Sequence, residues 1–125
     1  MSEMRTNVVA WFEIPASDFG RAVAFYETLL DAKLRREEIG GNRMAVFPYQ
    51  PPGVGGAVLE AKGVRAGGNG TLVYLNCDGK LDAAIARVQL AGGRLAGPRV
   101  ELPGGMGSFV HVEDTEGNRV GLHSH

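Results

Sequence analysis

The 125-residue chain has little of what most readily marks a function. It holds one cysteine, Cys77, so it forms no internal disulfide, and at this length folding needs neither a disulfide nor a metal. Thirteen basic residues stand against fourteen acidic ones, a formal net charge of −1, with neither a basic footprint nor an acidic tail. Nucleic acid is therefore not an expected partner. No hydrophobic run approaches the ~18 residues of a membrane span, so a membrane is not expected either. The opening MSEMRTNVVAWFEIP carries Glu3 and Arg5 early and Glu13 inside its apolar stretch, unlike a secretory signal, and a cytoplasmic location is expected. There is no GxxxxGK[ST], and no GxGxxG between a strand and a helix, so the 19 glycines read as turns and one linker.

What is present is a repeat. Ala22-Val23-Ala24 followed by Tyr26 recurs half a chain later as Ala84-Ile85-Ala86 followed by Val88, each after an apolar alternating run that ends near an aspartate. Two copies of such a unit must bury their apolar faces against each other. In the first copy, β-branched and aromatic residues over 7–14 predict a strand ending at Pro15. Ser17 or Asp18 caps a helix whose apolar face is Ala22, Val23, Tyr26, Leu29 and Leu30, and short strands follow over 34–39, 44–48 and 57–61. After a glycine-bearing segment, 62–70, the order returns. A strand over 71–77, a helix over 81–90 stopped by Gly92-Gly93, and strands over 94–102, 108–113 and 118–123 complete it, with 114–117 as a tight turn whose Gly117 suits positive φ. The expected fold is α+β, one domain of two tandem βαβββ modules covering about 7–62 and about 71–124.

Asp18, Arg21, Ala22, Phe25 and Tyr26, in the pattern D-x-x-R-A-x-x-F-Y, with the late turn E-D-T-E-G-N-R over 113–119, resemble the glyoxalase, bleomycin-resistance and extradiol-dioxygenase group, the vicinal oxygen chelate superfamily. The resemblance implies paired modules forming a curved mixed sheet around a cavity, helices outside, and a homodimer. It also implies four metal-ligand positions, which fall here on Trp11, Glu60, Leu72 and Gly121. Only Glu60 can coordinate, and stable catalytic sites generally need about three protein donors. No metal cofactor is therefore expected.

Strand side chains alternate faces, so if Trp11 faces the cavity, Val9 and Glu13 do too, and Phe12 and Ile14 pack against helices. The same parity selects Leu72, Tyr74 and Asn76 from the second module, Val58 and Glu60 from the end of the first, and Gly121 with His123 from the end of the second. These predict an aromatic and acidic cavity for a small-molecule ligand, bound by Trp11, Glu13, Glu60, Leu72, Tyr74, Asn76 and His123. Trp11 serves equally as filler for the volume of an absent metal. Glu13 demands a partner, solvent or a shifted pKa, and Arg43 or Arg119 would supply an ion pair. Glu60 reads also as a strand edge, His123 as a solvated terminal residue, and His111 as a strand residue or a pocket lining. Cys77 reads as a small buried hydrophobe.

Two functions follow. One is a metal-free binder of a small organic molecule. The other is an enzyme of lyase, isomerase or dioxygenase type. It would use either a divalent metal relocated to Glu13, Glu60 and His123, or metal-free acid–base chemistry through Glu13 with Tyr74 or His123. An interaction module without a pocket would leave the inward polar residues without a purpose.

Overall fold

A computed structural model describes Asn7 and residues 9–125. Glu3 and Arg5, and Val8 of the first expected strand, lie outside the described residues. The first module runs β1 (Trp11–Pro15), α1 (Phe19–Leu30), β2 (Arg35–Ile39), β3 (Asn42–Val46) and β4 (Gly55–Glu60). The second runs β5 (Val73–Asn76), α2 (Leu81–Leu90), β6 (Arg94–Leu95), β7 (Val100–Glu101), β8 (Ser108–Glu113) and β9 (Arg119–Ser124).

The repeat read in the sequence is a repeat of topology. The first sheet has the order β1-β4-β3-β2, and the second has β5-β9-β8-β6 with β7 also on β8. In each, the first strand lies parallel to the last and the others are antiparallel. The two sheets share no strand pairing among the described residues and do not close into a barrel. The one long strand expected over 94–102 is broken into β6 and β7. Gly97-Pro98 lies between them, and a proline cannot donate to the ladder on β8.

Asp18 caps α1, its Oδ1 accepting from the Arg21 amide at 3.1 Å, and the helix ends at Asp31 in the left-handed region. Phe19, Ala22, Val23, Phe25, Tyr26 and Leu29 form its buried face. A continuous core draws on α1 and α2 and on both sheets, from Ile14, Ala45 and Val58 of the first to Leu75, Val110 and Leu122 of the second. That core fixes which face of each sheet is left open. Ile14 pairs with Val58 toward the helices, so Trp11 and Glu13 occupy the opposite, open face of the first sheet. Leu75 pairs with Leu122 inward, leaving Tyr74, Asn76, Gly121 and His123 on the open face of the second.

No helix among the described residues is long and apolar enough to cross a membrane.

Candidate functional site

β1 and β5 are each the outer strand of their sheet, and a cleft of about 910 Å³ lies between them. Both parities of both strands border it: Val9, Trp11 and Phe12 on one side, and every residue over 71–77 on the other. Its inner wall comes from Leu29, Leu30 and Ala32 of the first module and from Lys80, Ala84 and Arg87 of the second. Tyr49 closes one flank, set edge-on to Trp11 with ring centroids 6.1 Å apart. Gly55 makes room for it, since a Cβ there would meet the Tyr49 ring at 2.4 Å.

Of the residues expected to bind a ligand, Trp11, Leu72, Tyr74 and Asn76 border this cleft. The others are placed elsewhere. Glu13 is exposed, accepts the Trp11 indole N–H at 3.3 Å, and borders a smaller cleft of about 650 Å³ formed with 65–71 and 118–120. Neither arginine considered as its partner pairs with it: Arg43 bonds Glu60, and Arg119 donates to the Ala96 carbonyl.

Glu60 corrects the parity argument. β4 begins at Gly55 opposite Trp11, so Gly55, Ala57 and Leu59 take the open face while Val58 and Glu60 take the helix face. Glu60 sits 2.8 Å from Arg43, whose guanidinium lies over the Phe19 ring of α1. His123 has the expected parity, but its Nε2 bonds the Met106 carbonyl at 2.7 Å and it does not border the cleft. Glu13 and Tyr74 line different clefts, so the proposed catalytic pairing of the two is not assembled.

The larger cleft consequently lacks both carboxylates expected in it, Glu13 and Glu60. Among the described residues no aspartate or glutamate borders the larger cleft, and the charged ones that do are Lys80 and Arg87. Arg87 is held by a bond from Nε to the Leu29 carbonyl at 3.2 Å. Cys77, also on the wall, is buried, and that burial pushes its thiol pKa up, which keeps it protonated.

Tyr74 has a partner that sequence reasoning did not assign. Its hydroxyl lies 2.7 Å from His111 Nε2 on β8, and its ring packs edge-on against Phe109 at 5.5 Å. His111 and Phe109 alternate along β8, and the register sets His111 beside Gly121 and Phe109 beside His123. Period-two alternation alone would have put the two rings on one face; it could not say which face.

The four family metal positions do not fit a metal. Trp11 and Leu72 offer no donor, and Glu60 is on the other face of the sheet, ion-paired. Over Gly121 lies the Tyr74 ring, which a Cβ would meet at 2.2 Å, so the space of a ligand side chain there is filled. The relocated set of Glu13, Glu60 and His123 is not brought together either, being spread over two sheets and both faces of the first.

Solved structures share this fold. A glyoxalase/bleomycin resistance protein from Albidiferax ferrireducens T118 superposes with a TM-score of 0.73 at 15% identity, covering 95% of this chain and 99% of that one. One from Streptomyces sp. CB03234 gives 0.66 at 24% identity over 90% and 96%. A mutant of glyoxalase I from Zea mays gives 0.69 at 22% identity and covers 92% of this chain but 45% of its own, so this chain spans just under half of that protein. None of the curated proteins matches the chain. The sequence model of the Glyoxalase/Bleomycin resistance protein/Dioxygenase superfamily matches residues 8–122. With the doubled topology, the match establishes that the chain belongs to that superfamily.

Proposed function

We propose that the protein binds a small, flat organic molecule with a negatively charged end in the cleft between its modules. One observation carries this: Trp11, Tyr49 and Tyr74 border the cleft together with Lys80 and Arg87, and among the described residues no carboxylate does. Rings supply area for stacking, and cations in a half-enclosed site favour an anion. The volume falls within the roughly 300–1,000 Å³ of small-molecule sites. Asn76 adds an amide whose Oδ1 accepts the Asp78 N–H, leaving its two N–H donors for the ligand.

Trp11 is the chain's one tryptophan, so its fluorescence reports directly on the cleft. Aromatic carboxylates are expected to quench it and raise the melting temperature. Their amide and amine analogues are expected to bind about tenfold more weakly, a 1.4 kcal/mol difference. Lys80→Glu should reverse the preference. Equal binding of all three classes, or none, would remove the proposal.

A second reading, metal-free proton transfer on the bound molecule, is favoured by the Tyr74–His111 hydrogen bond, since a hydroxyl joined to an imidazole can pass a proton. It expects solvent deuterium to enter a bound carbonyl compound next to the carbonyl, and not in Tyr74→Phe. A homodimer belongs to the same proposal, supported by the outer edges of β1 and β5, which carry no further strand among the described residues. Light scattering of the purified chain tests it.

A further inference from the structure

At the far end of the β5–β9 ladder, outside the cleft and away from the four family positions, three metal-ligating side chains meet. Asn76 pairs with His123, and the ladder continues with the Cys77 N–H donating to the His123 carbonyl at 2.7 Å. Asp78 and His125 come next. The His125 amide donates to Asp78 Oδ1 at 2.9 Å, and its ring Nδ1 lies 3.4 Å from the same oxygen. His123 and His125, two apart on an extended chain, share a side, with ring centroids 4.9 Å apart and planes at 86°. One ligand atom from each of Asp78, His123 and His125 lies within 4.8 Å of the others, and among the described residues this is the group of histidine, cysteine, aspartate and glutamate side chains that does so.

We propose that Asp78, His123 and His125 form a binding site for a divalent transition metal of the zinc, nickel and copper type. Two imidazoles and a carboxylate are three donors, the number that leaves a tetrahedral ion one position for water or another ligand. Imidazole donors select these borderline ions over magnesium and calcium, which take oxygen. One histidine already has its tautomer set by a hydrogen bond. A carbonyl only accepts, so the His123 imidazole donates from Nε2 to Met106, and in that tautomer the lone pair is on Nδ1. Metal-bound histidines are held in the same way by a backbone carbonyl at the other nitrogen.

An ion with bonds of about 2.0–2.1 Å holds tetrahedral donors roughly 3.4 Å apart, so the three side chains need to close by about an ångström. Asp78 and His125 are exposed and free to do so. The site rests neither on the cleft nor on an inherited metal position. Because Met106 belongs to the 102–107 loop, a bound ion would tie that loop, through His123, to the end of β5.

The test is calorimetric titration of the whole, chelator-treated chain with zinc and with nickel, magnesium serving as the comparison. One ion per chain is expected for zinc and for nickel, with no saturable binding of magnesium. Asp78→Asn and His125→Ala should each weaken binding about tenfold or more, at least the loss seen when a supporting residue of a metal site is removed. Both positions are exposed, so melting without metal reports whether either variant has lost its fold. Absence of saturable zinc binding would overturn the proposal. So would affinity unchanged in both variants, or binding abolished by Cys77→Ser alone.

Discussion

The two modules share one topology and divide the work differently. In the first, α1 is capped by Asp18 and buries six residues, and its sheet hides Val46, Ala57 and Leu59 even on the face turned from the helices. In the second, α2 begins at Lys80 without a side-chain cap and buries three residues, its second strand is split, and its open face carries Tyr74, Phe109, His111 and His123. The first module buries more of its helix and sheet, and the second turns tyrosine, phenylalanine and histidine rings outward on its open face. The turn before the last strand shows the same asymmetry. In the second module it reaches across to hold the first, whereas in the first module, at 47–54, it places Tyr49 beside the cleft.

That reach is dense. Asp114 is buried, and its Oδ2 accepts the Tyr26 hydroxyl at 2.6 Å and an Asn118 N–H at 3.0 Å. Its Oδ1 accepts the amides of Glu116 and Asn118, each at 2.8 Å. Asn118 also donates to the Pro15 carbonyl and accepts from the Gly67 amide, joining β1 and the linker. Burial and the neighbouring Asp114 both raise the Tyr26 pKa well above the ordinary tyrosine value, so its hydroxyl remains a donor. Removing Asp114 leaves a buried hydroxyl and two amides without their acceptor. Asp114→Ala is therefore expected to cost roughly 3 kcal/mol or more, the largest effect of any single change considered. Urea denaturation measures it. A loss under about 1 kcal/mol would mean that the modules hold together without this clasp.

The clasp also explains what the sequence revealed and what it hid. Asp18, Arg21 and Tyr26 on one side and 113–119 on the other were legible as family marks, and the structure shows them bonded to each other or to the same carboxylate. Periodicity carries no sign of a contact between residues so far apart in the chain. The helices and the doubled order were legible because alternation and helical spacing are local. Face assignment failed at Glu60 because Gly55-Gly56 has no side chain to mark parity, and a slip of one residue turns the whole strand over. The other expected carboxylate, Glu13, has the expected parity but borders the smaller cleft. The larger cleft's cations, Lys80 and Arg87, flank Ala84 at helical spacing, so a stripe on α2 was there to be read.

Gly121 has a counterpart in the first module. Tyr74 lies flat over it, as Tyr49 does over Gly55 in the first module, and both rings border the cleft. A methyl group at residue 121 must push the Tyr74 ring aside, and that ring is half-exposed, so the cost falls at the low end of overpacking, about 1 kcal/mol. Gly121→Ala in a Tyr74→Ala background should cost less than Gly121→Ala alone, a coupling that a double-mutant cycle reads directly. Additive losses would show that the backbone, not the ring, requires glycine there.

The smallest expected effect at neutral pH belongs to Glu116, and its signature is the shape of a pH curve. Its side chain is fully covered, accepting from the Ser17 and Asp18 amides, Arg21 Nε and Thr115 Oγ1. Burial pushes its pKa up, but the bonds from Arg21, Asp18 and Thr115 together outweigh it and hold the carboxyl below its ordinary value. A carboxyl whose folded pKa is depressed contributes stability in full above its unfolded value, about 4.3 for glutamate, and that contribution disappears as pH falls through the folded value. Glu116→Gln keeps an acceptor for the two amides, loses the charge facing Arg21, and has nothing to titrate. The wild-type chain should therefore lose stability more steeply than the variant as pH drops below about 4.3, and the two should converge once Glu116 is protonated in the fold. Asp78, also depressed, by its bond from the His125 amide above all, is present in both chains and cancels from the difference. Parallel acid limbs in wild type and Glu116→Gln would show that the clasp is held by Asp114 and Asn118, with the charge on Glu116 adding nothing.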